Sequence, residues 1–149
     1  IANIAQGLES CLYLGNMDSL RDWGHAKDYV EAMWKILQQD KPEDFVIATG
    51  KTTSVRDFVK MAFAEVGIEI ECEGENENEV AKIKSCSNPM YQLEIGKIVV
   101  KVDPEYYRPT EVDLLIGDPT KSKTQLNWEP KYDLPALVKD MMQSDLKLS

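Results

Sequence analysis

Apolar residues recur at three- and four-residue spacing in several stretches of the chain, and each such stretch predicts an amphipathic helix. "IANIAQGL" (1–8) is the first, with Gly7 suited to end it. No capping residue precedes Ile1, so this helix reads as one already under way upstream and the chain as truncated at its N-terminus. Ala26, Tyr29, Val30, Met33, Trp34 and Leu37 give a second helix one apolar face, and "QQDKPED" breaks it at Pro42. Val55, Phe58, Val59, Ala62, Phe63 and Val66 mark a third, with Ser54 as its N-cap and Gly67 at its end. Pro119 suits the first turn of a short helix through Leu126. Asp133 caps a last helix with Leu134, Leu137, Val138, Met141 and Met142 on one face.

Between these lie compact apolar runs that predict strands: "CLYLGN" (11–16), "FVIATG" (45–50), "KIVVKVD" (97–103) and "LLIGD" (114–118). "FVIATG" is the kind of run that a parallel sheet buries on both faces. "IEIEC" (68–72) alternates apolar and acidic residues, as a half-exposed strand does. Strand, helix and strand across 45–72 form a βαβ signature, which places the chain in the α/β class. Residues 73–96 are polar and acidic and predict a long surface excursion, with a short helix or strand inside it. Its glutamate run reads as a solvated loop rather than a metal site. There is no internal repeat and no low-complexity linker, and 149 residues suit a single domain over 1–149.

The formal charge of −9 removes two classes of partner. Nucleic acid requires basic stripes that displace counterions, and an anionic membrane surface requires a basic patch. A small anionic ligand stays open, because two arginines suffice to hold a phosphate on an acidic protein. Cys11, Cys72 and Cys86 are odd in number and widely spaced, without Cys-x-x-Cys spacing, and predict reduced thiols rather than a metal site. No run of about 18 apolar residues suggests a membrane span. No basic region leads into an apolar stretch at the start, so the expected location is cytoplasmic.

The candidate chemistry lies in two short segments. In "RDWGHAKDYVEAMW" (21–34), Arg21 stands between a strand end and a helix start. A guanidinium there presents two parallel donors to a phosphate, and the helix N-terminus adds N–H groups and a positive dipole end. The alternative is a surface pair with Asp18 or Asp22. Trp23 is expected to anchor the turn. His25 reads as a packed histidine bonded to nearby backbone before it reads as a pH-sensitive catalytic group. In "YYRPTEVD" (106–113), Arg108 suits a diphosphate, and Glu111 suits ribose hydroxyls, which a carboxylate accepts and an arginine does not. The alternative there is an Arg108–Glu111 ion pair. No Gly-x-Ser-x-Gly, no Tyr-x-x-x-Lys, no cysteine beside a plausible base and no glycine-rich dinucleotide loop occurs, so no catalytic residue is assigned.

Taken together, "IANIAQGL", "LYLGNMDSLRDWGHAKDYVEAMW", "EDFVIATG", "SVRDFV", "YYRPTEVD", "LIGDPTKSKTQLNW" and the last helix resemble the C-terminal part of the extended short-chain dehydrogenase/reductase family. Within it they are most similar to the GDP-mannose 4,6-dehydratases. The likeness covers nearly the whole chain and is weakest over 73–96. It implies the substrate-binding lobe of such an enzyme, with part of the parallel sheet and without the N-terminal Rossmann half. It implies that Arg21 and Arg108 hold the diphosphate of GDP-mannose or a related GDP-sugar, that Glu111 binds the ribose, and that Gly15 and Asn16 form a turn along the nucleotide. The full enzyme of this resemblance uses NADP to make GDP-4-keto-6-deoxymannose. The loop and catalytic pair for that chemistry are missing here, so the chain is expected to hold no cofactor and to be inactive alone. "FVIATG" would belong to the large sheet, and a bare edge there implies self-association. The alternative function is a stand-alone, non-catalytic GDP-sugar-binding or interaction module.

Overall fold

The computed structural model describes residues 1–91, 93–108 and 116–148. The chain divides into two compact units, each built from segments distant in sequence.

The first unit comprises Ile1–Ser19, Ser54–Glu111 and Val138–Ser149. It contains α1 (Ala2–Ala5), β1 (Leu12–Leu14), α3 (Val55–Glu65), β4 (Ile68–Glu73), β5 (Val80–Cys86) and β6 (Ile98–Val102). The second unit, Leu20–Thr53 and Val112–Leu137, contains β2 (Leu20–Asp22), α2 (Ala26–Leu37) and α4 (Thr120–Gln125). β3 (Thr52–Ser54) and α5 (Leu134–Leu148) run from one unit into the other.

The sheet of the first unit has the order β1-β6-β5-β4. β1 and β6 are parallel, with Leu12 opposite Val100 and Leu14 opposite Val102. β6–β5 and β5–β4 are antiparallel. Ser54 caps α3 as expected, its hydroxyl accepting from the Asp57 N–H at 3.1 Å. Gly67, at φ +76°, ends the helix in a conformation that side chains rarely adopt. The periodic positions Val59, Ala62, Phe63 and Val66 are buried, as are Ile68, Ile70, Ala81, Ile83, Val99 and Val100 of the sheet. Val138 and Met142 of α5 are buried as well, whereas Met141 is exposed.

Two expectations change in this unit. Within 73–96 the chain makes β5, an interior strand of the sheet, rather than only a surface excursion. Its charged residues pair across strands: Lys84 with Glu69 at 2.7 Å, and Lys82 with Glu73. The βαβ reading also fails, because β4 sits in an antiparallel pair and no described residue of 45–50 belongs to a strand.

Residues 45–50 instead run in the second unit outside any strand of the described residues, and three of their backbone groups bond to side chains. The Val46 carbonyl accepts from the Ser122 hydroxyl, and the Thr49 and Gly50 N–H groups donate to Asp22. Gly117 lies close against this run: a Cβ there would sit 2.6 Å from that of Ala48. Of the expected strand 114–118, Leu114 and Leu115 lie outside the described residues, and 116–118 form no strand. The core of the unit is Ala32, Leu126 and Trp128, with Ile36, Phe45 and Ile47 packed on it. The Trp128 indole donates to the Asp28 carbonyl at 2.9 Å, and the buried Asp28 carboxylate accepts from the Tyr132 N–H at 3.1 Å. These two bonds turn the Asp28–Ala32 side of α2 inward. The expected apolar face points out: Val30, Met33 and Trp34 are each 62% exposed and Leu37 is 80% exposed.

Candidate functional site

Because β1 and β6 are parallel neighbours, the segments that follow them leave from the same carboxyl end of the strands, the end where parallel α/β sheets bind ligands. The β6 segment turns at once. The Asp103 N–H donates to the Leu14 carbonyl at 2.8 Å, and the Asp103 carbonyl accepts from the Tyr106 and Tyr107 N–H groups, each at 3.0 Å. The β1 segment passes directly beneath this turn. A Cβ on Gly15 would collide with the Tyr106 carbonyl oxygen, so only glycine lets the two turns meet. Asn16 then shapes its own turn, its Oδ1 accepting from the Asp18 N–H at 2.9 Å. The structure therefore brings the Gly15–Asn16 turn against the turn that leads to Arg108, which is exposed. Glu111 lies outside the described residues, and so does any pair between it and Arg108.

The β1 turn is fastened from below. Met17 is buried, and its carbonyl accepts from the Arg56 N–H at 2.9 Å. The Arg56 guanidinium donates to Asp18 at 2.6 Å and grips both oxygens of Glu79, at 2.5 and 2.7 Å. Glu79 is only 2% exposed. These hydrogen bonds, first those to Glu79 and then that to Asp18, raise the guanidinium pKa above its ordinary value. Neither Arg56 nor Glu79 stands out in the sequence, where one sits in a helix start and the other ends a glutamate run.

In the second unit the segment 21–25 divides its labour. Asp22 holds the 49–50 turn, with three N–H···O contacts of 2.9–3.1 Å from Thr49 and Gly50. Trp23 anchors the same region, its indole donating to the Thr53 carbonyl at 2.9 Å. Gly24 fits against the Tyr29 ring, where a Cβ would lie 2.6 Å from Cζ. His25 caps α2, its Nδ1 accepting from the Lys27 N–H at 3.1 Å, and its ring stacks on Tyr132 at 4.2 Å between centroids. His25 is thus the packed, backbone-bonded residue the sequence suggests. Arg21 is the exposed member of the group and donates to the Leu20 carbonyl at 2.9 Å. A cavity of about 720 Å3 opens beside Trp23, Lys51 and Tyr132, and Arg21 is not among its lining residues.

Solved structures share this fold. The chain is similar to RMD of Pseudomonas aeruginosa, solved with NADPH, at a TM-score of 0.70 and 15% identity, over 99% of this chain and 40% of that one. It is similar to the dTDP-glucose 4,6-dehydratase of Bacillus anthracis, solved with NAD, at a TM-score of 0.63 and 17% identity, over 97% and 36% of the two chains. The fold is that of the extended short-chain dehydrogenases/reductases. The family model for GDP-mannose 4,6-dehydratase matches residues 1–141, and the chain belongs to that family. The GDP-mannose 4,6-dehydratase of Yersinia enterocolitica is 55% identical over 148 residues, which are 99% of this chain and 40% of that relative. The chain therefore spans about 40% of the length of such relatives.

The strand-to-helix turns among the described residues do not fit a dinucleotide diphosphate, which needs a glycine-rich turn opening onto a helix N-terminus. β3 passes straight into α3 with no glycine between, and His25 fills the N-terminus of α2.

Proposed function

We propose that the chain is the sugar-nucleotide-binding portion of a GDP-mannose 4,6-dehydratase and contributes substrate binding rather than redox chemistry. Arg21 and Arg108 hold the diphosphate of GDP-mannose or a related GDP-sugar. Glu111 accepts from the ribose hydroxyls, and the Gly15–Asn16 turn runs along the nucleotide. The observation that carries this reading is the parallel β1–β6 pair, which seats Gly15 beneath the Tyr106 carbonyl, two residues from Arg108. Guanidinium groups suit the ligand because each can offer a phosphate two parallel donors.

Calorimetric titration with GDP-mannose tests it. The chain is expected to bind, and an Arg21→Ala, Arg108→Ala double variant to bind at least about a hundredfold more weakly, since each charged hydrogen bond contributes about 1.5–3 kcal/mol. No heat from the unaltered chain up to millimolar ligand overturns the reading.

A second property belongs to the proposal. The exposed row Val30, Met33, Trp34 and Leu37 favours association of copies through α2, in place of the sheet edge expected from the sequence.

A further inference from the structure

The first turn of α3 does more than start a helix. Its N–H groups are among those a helix leaves without internal partners, and two of them go to the β1 turn. Val55 donates to the Ser19 carbonyl at 3.0 Å and Arg56 to the Met17 carbonyl at 2.9 Å. The Arg56 side chain then returns to the same turn through Asp18, at 2.6 Å. Its remaining donors hold Glu79. That carboxylate is buried, so releasing the guanidinium would strand a charge away from water. The Glu79 carbonyl in turn accepts from the Val102 N–H at 3.1 Å, at the point where β6 ends and the second turn begins. One side chain therefore links the turn after β1 to the end of the strand that carries the turn after β6.

We propose that Arg56 is a positioning residue for the GDP-sugar site: it sets the spacing of the two turns without touching the ligand. This rests on the GDP-sugar reading above. It makes Arg56 more than a buried ion pair, because one arm of the guanidinium ends on Asp18, an exposed residue in the turn itself whose side chain is 61% exposed.

The test uses Asp18→Ala, which cuts the outer arm and leaves the Arg56–Glu79 pair in place, beside Arg56→Gln and Arg56→Lys. Amide hydrogen exchange and GDP-mannose titration are read on the full chain. In Asp18→Ala, exchange of the Ser19, Val55 and Arg56 amides is expected to rise about tenfold while Phe63 and Ile83 keep their protection. GDP-mannose affinity is expected to fall about tenfold, the scale at which small misplacements act. Arg56→Gln should weaken binding further, and Arg56→Lys should restore part of it. If Arg56→Gln does not fold, Asp18→Ala still decides. An unaltered chain that binds, with Asp18→Ala leaving both exchange and affinity unchanged, overturns the positioning role. An unaltered chain that fails to bind overturns the GDP-sugar reading itself.

Discussion

His25 carries a helix cap, a ring stack and a buried position in one side chain, and its loss is felt in folding before it is felt in chemistry. His25→Ala is expected to cost about 1–2 kcal/mol of stability, and His25→Asn, which keeps a capping acceptor, to recover about half or more of it. Urea denaturation followed by circular dichroism measures both. Its neighbours Asp22 and Trp23 are also tied to backbone groups, as is Arg21 through the Leu20 carbonyl. Burial pushes the Cys11 and Cys72 thiols up, so both hold less thiolate at neutral pH than an ordinary cysteine. Their alkylation by iodoacetamide at pH 7.5 is expected to be slower than that of glutathione and to quicken as pH rises. Hydrogen bonds from Lys131 and Lys35 hold the Glu31 carboxyl below its ordinary range. Its folded pKa is the lower one, so its contribution to stability is present above the ordinary carboxylate pKa and is lost as pH falls through the folded value. Glu31→Gln is expected to flatten that part of an acid-unfolding curve.

At the scale of elements, Gly15 is the tightest joint. Gly15→Ala is expected to destabilise the chain by about 1–3 kcal/mol, as overpacking does, because the new methyl meets a backbone carbonyl rather than a side chain that can move. Its GDP-mannose affinity is expected to fall even at temperatures where the variant remains folded, which titration alongside a melting curve resolves. Helices α3 and α5 and strands β4 and β6 were legible in the sequence because their apolar spacing largely coincides with what is buried, and β1 because a short apolar run stops at Gly15. β5 was obscured because the lysines and glutamates that suggest loop are partners across strands, and the alternation of Val80, Ala81, Lys82 and Ile83 is hidden by the acidic residues ahead of it. "FVIATG" misled in the opposite sense: apolar content favours a strand, but among the described residues the Val46 carbonyl and the Thr49 and Gly50 N–H groups bond to the side chains of Ser122 and Asp22. On α2 the hydrophobic period was right and the buried side wrong: Asp28 and Ala32 are buried, with bonds from Trp128 and Tyr132 on Asp28, while Val30, Met33, Trp34 and Leu37 face outward. Of the site, the two turns were legible through short motifs. The Arg56 linkage was not, because it joins positions 18, 56 and 79, which nothing in local spacing relates.

For the molecule as a whole, the outward row on α2 predicts behaviour in bulk. Sedimentation velocity is expected to show mass rising with concentration, and Leu37→Lys, at a position already 80% exposed, to suppress that rise without lowering the melting temperature. Unchanged association in Leu37→Lys would exclude α2 as the surface involved. The strand order carries a different consequence, one that falls on synthesis. Among the described residues β6 is the last strand made, yet it stands between β1 and β5. During translation, at about 5–20 residues per second, β1 must wait several seconds for its neighbour, with its pairing edge open to other nascent chains. The hairpin of β4 and β5 can close in the meantime, but the Tyr106 turn that lies over Gly15 cannot. A ribosome that stalls before Ile98 would therefore hold a chain with α1 to α3 made and its ligand-facing turns not yet assembled.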